Sequence, residues 1–240
     1  MKQLINKTLA VFGYRIRKIV DESLPAKSAD NAIKRISGIH HINTVVDIGA
    51  SSGIWSQMAM NHYSEAKYLL IEAQPVHEEA LSAFTRKNQN TQFVLAAAGE
   101  TLGQIFFDAG DPFSGQASYT PYEKDNIIVP VITVDSEVGR RGLKGPYLLK
   151  LDTHGFEVPI FKGAMQTLQE TEIIVVECYN FQISPECLLF YEMCEYLNNL
   201  GFRCVDLVDP LWRPYDQAFW QMDLVFVRTN SPEFTYSNYA

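Results

Sequence analysis

The sequence predicts an α/β fold: a mostly parallel sheet covered by helices on both faces, with an antiparallel hairpin at one edge. Three observations predict it. Short β-branched and apolar runs alternate with helical segments from about residue 44 onward. The last two such runs have no helix between them, as in a hairpin. The chain has 240 residues, 47% of them hydrophobic, enough to bury one large core.

Taken in order, residues 2–20 carry Ile5, Leu9, Phe12, Ile16 and Ile19 at the spacing of one helical face, with five Lys/Arg and no acid before Asp21. This is a basic amphipathic helix, suited to packing on the domain or on a second subunit, or to peripheral contact with an anionic membrane surface. A second helix is expected at 28–37, stopped by Gly38. These segments form an N-terminal extension, 1–40, ahead of a domain at 41–240.

Strands follow at 44–48, 68–71 and 92–97, separated by helices at 54–63 and 76–87. A stretch rich in Gly, Asp, Ser and Pro covers 99–121, interrupted by a β-like run at 104–107, and 127–133 is extended. A strand at 147–151 leads into a helix at 158–169, with Pro159 in its first turn where a missing N–H does no harm. A strand at 172–177 and a helix at 188–199, closed by Gly201, precede the final pair at 203–208 and 222–227.

The formal net charge of −8 excludes broad electrostatic binding of nucleic acid. The four cysteines, Cys178, Cys187, Cys194 and Cys204, form no CxxC pair and have no His at structural-zinc spacing, so they read as reduced thiols. No run is long and apolar enough to cross a bilayer, and Arg15, Arg17 and Lys18 interrupt the N-terminal stretch before any signal-peptide core appears. The sequence reads as cytoplasmic.

In open α/β sheets ligands bind beyond the carboxyl ends of the strands, at the point where strand order reverses. The first strand-to-helix turn, Asp47-Ile48-Gly49-Ala50-Ser51-Ser52-Gly53, has two glycines that allow close backbone approach and a helix N-terminus with free N–H groups. A dinucleotide site would use G-x-G-x-x-G, which is not present here. The second strand ends in Glu72, placed about 20 residues after the turn, where an acid accepts hydrogen bonds from ribose hydroxyls. After the strand at 147–151 come Asp152, Thr153, His154, Gly155, Phe156 and Glu157. Extended spacing would put Asp152 and His154 on one side, and Glu157 falls in the first turn of a helix, where the dipole favours an acid.

Together these segments resemble the FkbM-type family of S-adenosylmethionine-dependent methyltransferases, from about residue 44 to 228. The pieces that carry the likeness are VVDIGASSG at 45–53, LLIEAQP at 69–75, VPVITVDS at 129–136 and LLKLDTHGFEVPIFKGA at 148–164. The resemblance implies a three-layer, Rossmann-like class I methyltransferase fold with seven strands, and O-methylation of a hydroxyl of a sugar, glycan or secondary metabolite. It implies cofactor contacts from Asp47, Gly49, Ala50, Ser51, Gly53, Glu72 and Ala73, with Ala97 and Ala98 flanking the adenine. The family's common acid after the third strand is replaced here by Ala97-Ala98-Gly99-Glu100.

On this reading His154 is the general base, Asp152 orients it or the acceptor, and Glu157 completes the catalytic cluster. An alternative is a Mg²⁺ or Mn²⁺ ion held by Asp152, Glu157 and Glu177. Residues 111–122 and 209–220, rich in aromatic and polar groups, are expected to select the acceptor. A nicotinamide-dependent oxidoreductase and a non-enzymatic binding module are the competing classes, and a homo-oligomer is compatible with the sequence.

Overall fold

The computed structural model describes residues 27–239; the basic helix expected at 2–20 lies outside them. Helix α1 (Ala29–Ser37) starts at the Ser28 N-cap, whose hydroxyl accepts from the Asn31 N–H. It buries Ala32, Ile33 and Ile36, and a fully buried Ile side chain is worth about 1.5–3 kcal/mol.

The main sheet contains β1 (Thr44–Ile48), β2 (Lys67–Glu72), β3 (Thr91–Leu95), β8 (Tyr147–Leu151), β9 (Thr171–Tyr179), β10 (Phe202–Trp212) and β11 (Phe219–Arg228). Their order is β10-β11-β9-β8-β1-β2-β3. The five strands from β9 to β3 run parallel, and β11 and β10 add an antiparallel edge. This is the predicted sheet, mostly parallel with an antiparallel pair at one edge.

Every residue of β1 and β8 is buried, because both faces of the sheet are covered. Alternate residues feed two cores. Val46, Leu69, Leu149 and Ile174 pack with helices α4 (Val134–Arg140), α5 (Glu157–Lys162) and α6 (Phe190–Asn199). Val45, Leu70, Leu148 and Ile173 pack with α1, α2 (Ile54–Ala59) and α3 (Glu78–Lys87).

Three differences from the sequence reading have local causes. The third strand stops at Leu95, because its partner β2 ends at Glu72 opposite that residue. Ala97–Ala98 (β4) instead pairs with Val131–Ile132 in a second sheet of order β4-β7-β5-β6, where β5 is Gly103–Asp108, β6 Ala117–Ser118 and β7 Asn126–Ile132. Helix α4 follows β7 directly, held by a capping box between Thr133 and Ser136. It is only seven residues long and contains Gly139 and two valines, so its period is weak in sequence. The helix expected at 158–169 ends at Lys162, where Gly163 packs so close to the neighbouring backbone that a Cβ would lie 2.0 Å from the Gly99 carbonyl oxygen, and a 3₁₀ turn, Thr167–Glu170, follows.

Candidate active site

Strand order reverses between β1 and β8, so the loops leaving their carboxyl ends open a crevice. The two ends are tied together. Asp152 N–H donates to the Ile48 carbonyl at 3.0 Å, and a Cβ on Gly49 would lie 1.9 Å from the Asp152 carbonyl oxygen. Only glycine fits there, and its φ of +75° adds a second reason.

A cavity lies at this point. Its lining includes Gly49, Ser51, Glu72, Ala73, Ala97 and Ala98, six of the nine residues expected to contact a cofactor. The buried Glu72 carboxylate accepts from the Ser51 N–H at 2.7 Å and the Gln74 N–H at 2.8 Å, fixing the turn and keeping lone pairs toward the cavity. The Ser51 hydroxyl is buried without a hydrogen-bond partner among the described residues. Ala96, Phe107 and Ile160 give the same cavity apolar walls. A carboxylate, an unmatched hydroxyl and an apolar slot fit a cofactor with ribose hydroxyls and a planar base.

The other three expected contacts do not line the cavity. Ala50 is buried in the core. Gly53 turns the chain at φ +84°, against Phe84 and Leu70. Asp47 is fully buried, accepting from the Ser56 hydroxyl at 2.7 Å and lying 3.2 Å from the Lys150 ammonium.

Lys150 is the residue the sequence reading missed. Its ammonium lies 3.2 Å from Asp47, 3.3 Å from Asp152 and 3.0 Å from the Gly49 carbonyl. Burial alone would favour its neutral form; the two carboxylates outweigh that and hold it charged, its pKa above the usual lysine range. The available signal was a lone charge inside the apolar strand YLLKL.

His154 was expected on an extended segment. It stands at φ +52°, followed by Gly155 at +98°, so the chain turns rather than running straight. The turn still leaves His154 Nε2 4.0 Å from Asp152 Oδ1. His154 Nδ1 lies 3.1 Å from Glu177 Oε2 and 2.8 Å from the Tyr179 hydroxyl, and Nε2 is 3.2 Å from the Phe113 carbonyl. Burial would lower the ring's pKa, but Glu177 first, then Asp152 and Glu157, push it up to about 9. Asp152 is raised by burial and lowered more strongly by Lys150 and His154, ending below the usual carboxylate range.

Glu157 has a different place. It is buried, and one oxygen accepts from both the Gly155 N–H at 2.9 Å and the Thr153 hydroxyl at 3.0 Å, so it shapes the turn carrying His154. Burial pushes its carboxyl up.

A second, open cleft is lined by Gln116, Glu177, Tyr179, Trp220 and Gln221, and it shares Phe113, Asp152 and His154 with the first cavity. Trp220 stacks on Phe181 with centroids 5.2 Å apart, and the Arg213 guanidinium covers the Phe181 ring at 4.1 Å. Of the two segments expected to select the acceptor, 111–122 lines both spaces, with Pro112, Gly115 and Ala117 in the first cavity, Ser114 and Gln116 in the cleft and Phe113 in both, while 209–220 supplies Trp220 to the cleft.

The fold is Rossmann-like, with a ligand-sized opening where strand order reverses. Residues 47–204 match the Methyltransferase FkbM domain, and the chain belongs to that family. Among solved structures it is similar to the methyltransferase FkbM from Methylobacillus flagellatus KT, with TM-score 0.54 and 16% identity over 77% of this chain and 43% of that one. The chain thus spans less than half the length of that relative. It is also similar to the fibrillarin pre-rRNA processing protein of Methanococcus jannaschii, with TM-score 0.50 and 17% identity over 91% of this chain and 84% of that one. No curated protein matches the sequence. Among the described residues, no helix is long and apolar enough to cross a membrane.

Proposed function

We propose that this chain transfers the methyl group of S-adenosylmethionine to a hydroxyl of a sugar, glycan or secondary metabolite seated in the open cleft. The observation that carries the reading is the shared wall: the cavity at the strand ends and the cleft have Phe113, Asp152 and His154 in common. Membership of a methyltransferase family supports the choice of methyl donor.

S-adenosylmethionine, when bound, supplies an electrophilic methyl carbon on a positive sulfonium. The residues around it have three tasks. Glu72 and Ser51 hold the ribose and polar head, and Ala97 and Ala98 border the adenine. Trp220 offers an aromatic face to a ring in the cleft, while the amide oxygens of Gln116 and Gln221, whose NH2 groups donate to the His154 carbonyl and to Glu177, accept from its hydroxyls. Asp152 and His154 stand where the acceptor oxygen meets the methyl carbon; holding the two in line supplies several kcal/mol of the barrier reduction.

As the O–C bond forms, the hydroxyl proton must leave. His154 takes it in its neutral form; Glu177 raises the ring's pKa to about 9, so that form, and turnover with it, grows as pH rises toward 9. The test is a screen of hydroxylated acceptors with labelled methyl donor, together with His154→Ala. Turnover is expected to vanish in the variant while S-adenosylhomocysteine still binds by calorimetry. Wild-type turnover in the variant would remove His154 from the reaction, and no binding of S-adenosylhomocysteine to the native chain would end the whole reading.

A further inference from the structure

The sequence offered Asp152, Glu157 and Glu177 as a metal set, but Glu157 is turned onto the Thr153 and Gly155 donors. The side chain that joins the other two is His154. One ligand atom from each of Asp152, His154 and Glu177 lies within 4.8 Å of the others. Ligands about 2.2 Å from one ion can stand as far as about 4.4 Å apart, so small rotamer changes close the set.

Three further features favour a cation there. All three side chains line the open cleft, which gives an ion a way in and leaves coordination positions facing the acceptor. The carboxylates of Asp47, Asp152, Glu177 and Asp223 gather around β1, β8, β9 and β11, with Asp223 directly beside Glu177 in register. Lys150 answers them from the Asp47–Asp152 side, and in the free protein the His154 imidazolium stands beside Glu177, so a bound cation would take the place of its proton. Glu177 is held in place by the Tyr179 hydroxyl on one oxygen and the Gln221 amide on the other, as supporting donors orient ligands in metal sites.

We propose that Asp152, His154 and Glu177 bind one divalent cation of the Mn²⁺ type, whose open positions take the acceptor's oxygens. One imidazole with two carboxylates suits that intermediate softness better than an all-oxygen set would. The proposal rests on the acceptor occupying the cleft. With the cation bound the imidazole is a ligand and no longer the base, so the coordinated hydroxyl gives its proton to water in the cleft; its oxygen then forms the bond to the methyl carbon as the carbon–sulfur bond breaks, with that electron pair going to sulfur.

The experiment is titration of metal-free protein with Mn²⁺, followed by calorimetry and by the electron paramagnetic resonance of free Mn²⁺. One ion per chain is expected, and Glu177→Gln and Asp152→Asn should each weaken binding at least tenfold with melting temperatures near that of the native chain. No saturable binding to the native chain, or equal binding in Glu177→Gln, would overturn the site. S-adenosylhomocysteine affinity, measured in chelator, reports separately on the methyltransferase reading, because Glu177 does not line the cofactor cavity. With an acceptor in hand, methyl transfer should stop in chelator and return with Mn²⁺; turnover unchanged by chelator would remove the cation from the reaction.

Discussion

Lys150 lies directly beside Asp47 across the β1–β8 pair, and its ammonium joins that buried carboxylate to Asp152 at the mouth of the crevice. The same ammonium holds the Gly49 carbonyl. One side chain therefore ties the Gly-rich turn at 47–53 to the loop carrying His154.

Lys150→Met should destabilise the fold by about 3–5 kcal/mol, since it leaves Asp47 buried with its charge uncompensated. Denaturant unfolding would measure this. The double variant Asp47→Asn, Lys150→Met should recover part of the loss, because neither charge then remains. A single variant as stable as the native chain would show that the pair contributes nothing.

Gly49→Ala drives a Cβ into the Asp152 carbonyl at 1.9 Å, so the turn and the β8 loop must separate. The expected result is a tenfold or greater loss of S-adenosylhomocysteine affinity, about 1.4 kcal/mol or more. Calorimetric titration checks it, with the melting temperature recorded on the same sample.

Glu72→Gln replaces a carboxylate that accepts from two backbone N–H groups with an amide that offers one acceptor oxygen. Charged hydrogen bonds contribute about 1.5–3 kcal/mol each, so affinity for the cofactor product should fall by about 10–100-fold. Unchanged affinity would mean that Glu72 serves the turn and not the ligand.

The cysteines give a pH test. Burial pushes the Cys187 and Cys204 thiols up to about 11 and Cys178 well above the ordinary value. The thiolate is the reactive form, so at pH 8 a thiol with a pKa of about 11 is about 0.1% ionised, against about a quarter for an ordinary one at 8.5. Alkylation of the native chain at pH 8 should be slow at these positions, rise as pH approaches 11, and become fast at all four sites after unfolding. Mass spectrometry of the labelled peptides would show it.

Much of the site is local and therefore legible in the chain. The turn from Asp47 to Gly53 and the acid at Glu72 follow from strand ends and glycine placement, and the family likeness extends to the Asp152–Glu157 segment. Lys150 was passed over because a lysine inside an apolar strand has no meaning until the strand beside it is known; the register that sets it against Asp47 supplies one. Glu157 shows the converse. Its position in the first helical turn was visible, but the direction of its carboxylate, onto Thr153 and Gly155, was not.

The sequence by itself determined the layered α/β architecture, the strand-end location of the crevice and the family, because hydrophobic period, glycine turns and contiguous motifs are properties of neighbouring residues. Only the tertiary structure decided which ionisable groups meet. Glu177 reaches His154 because β9 lies next to β8, and Asp223 reaches Glu177 because β11 lies next to β9. The charge His154 carries, the cleft it shares with Trp220 and the three-ligand cluster all come from strands brought side by side, since electrostatic interaction falls with distance in space and not with separation along the chain.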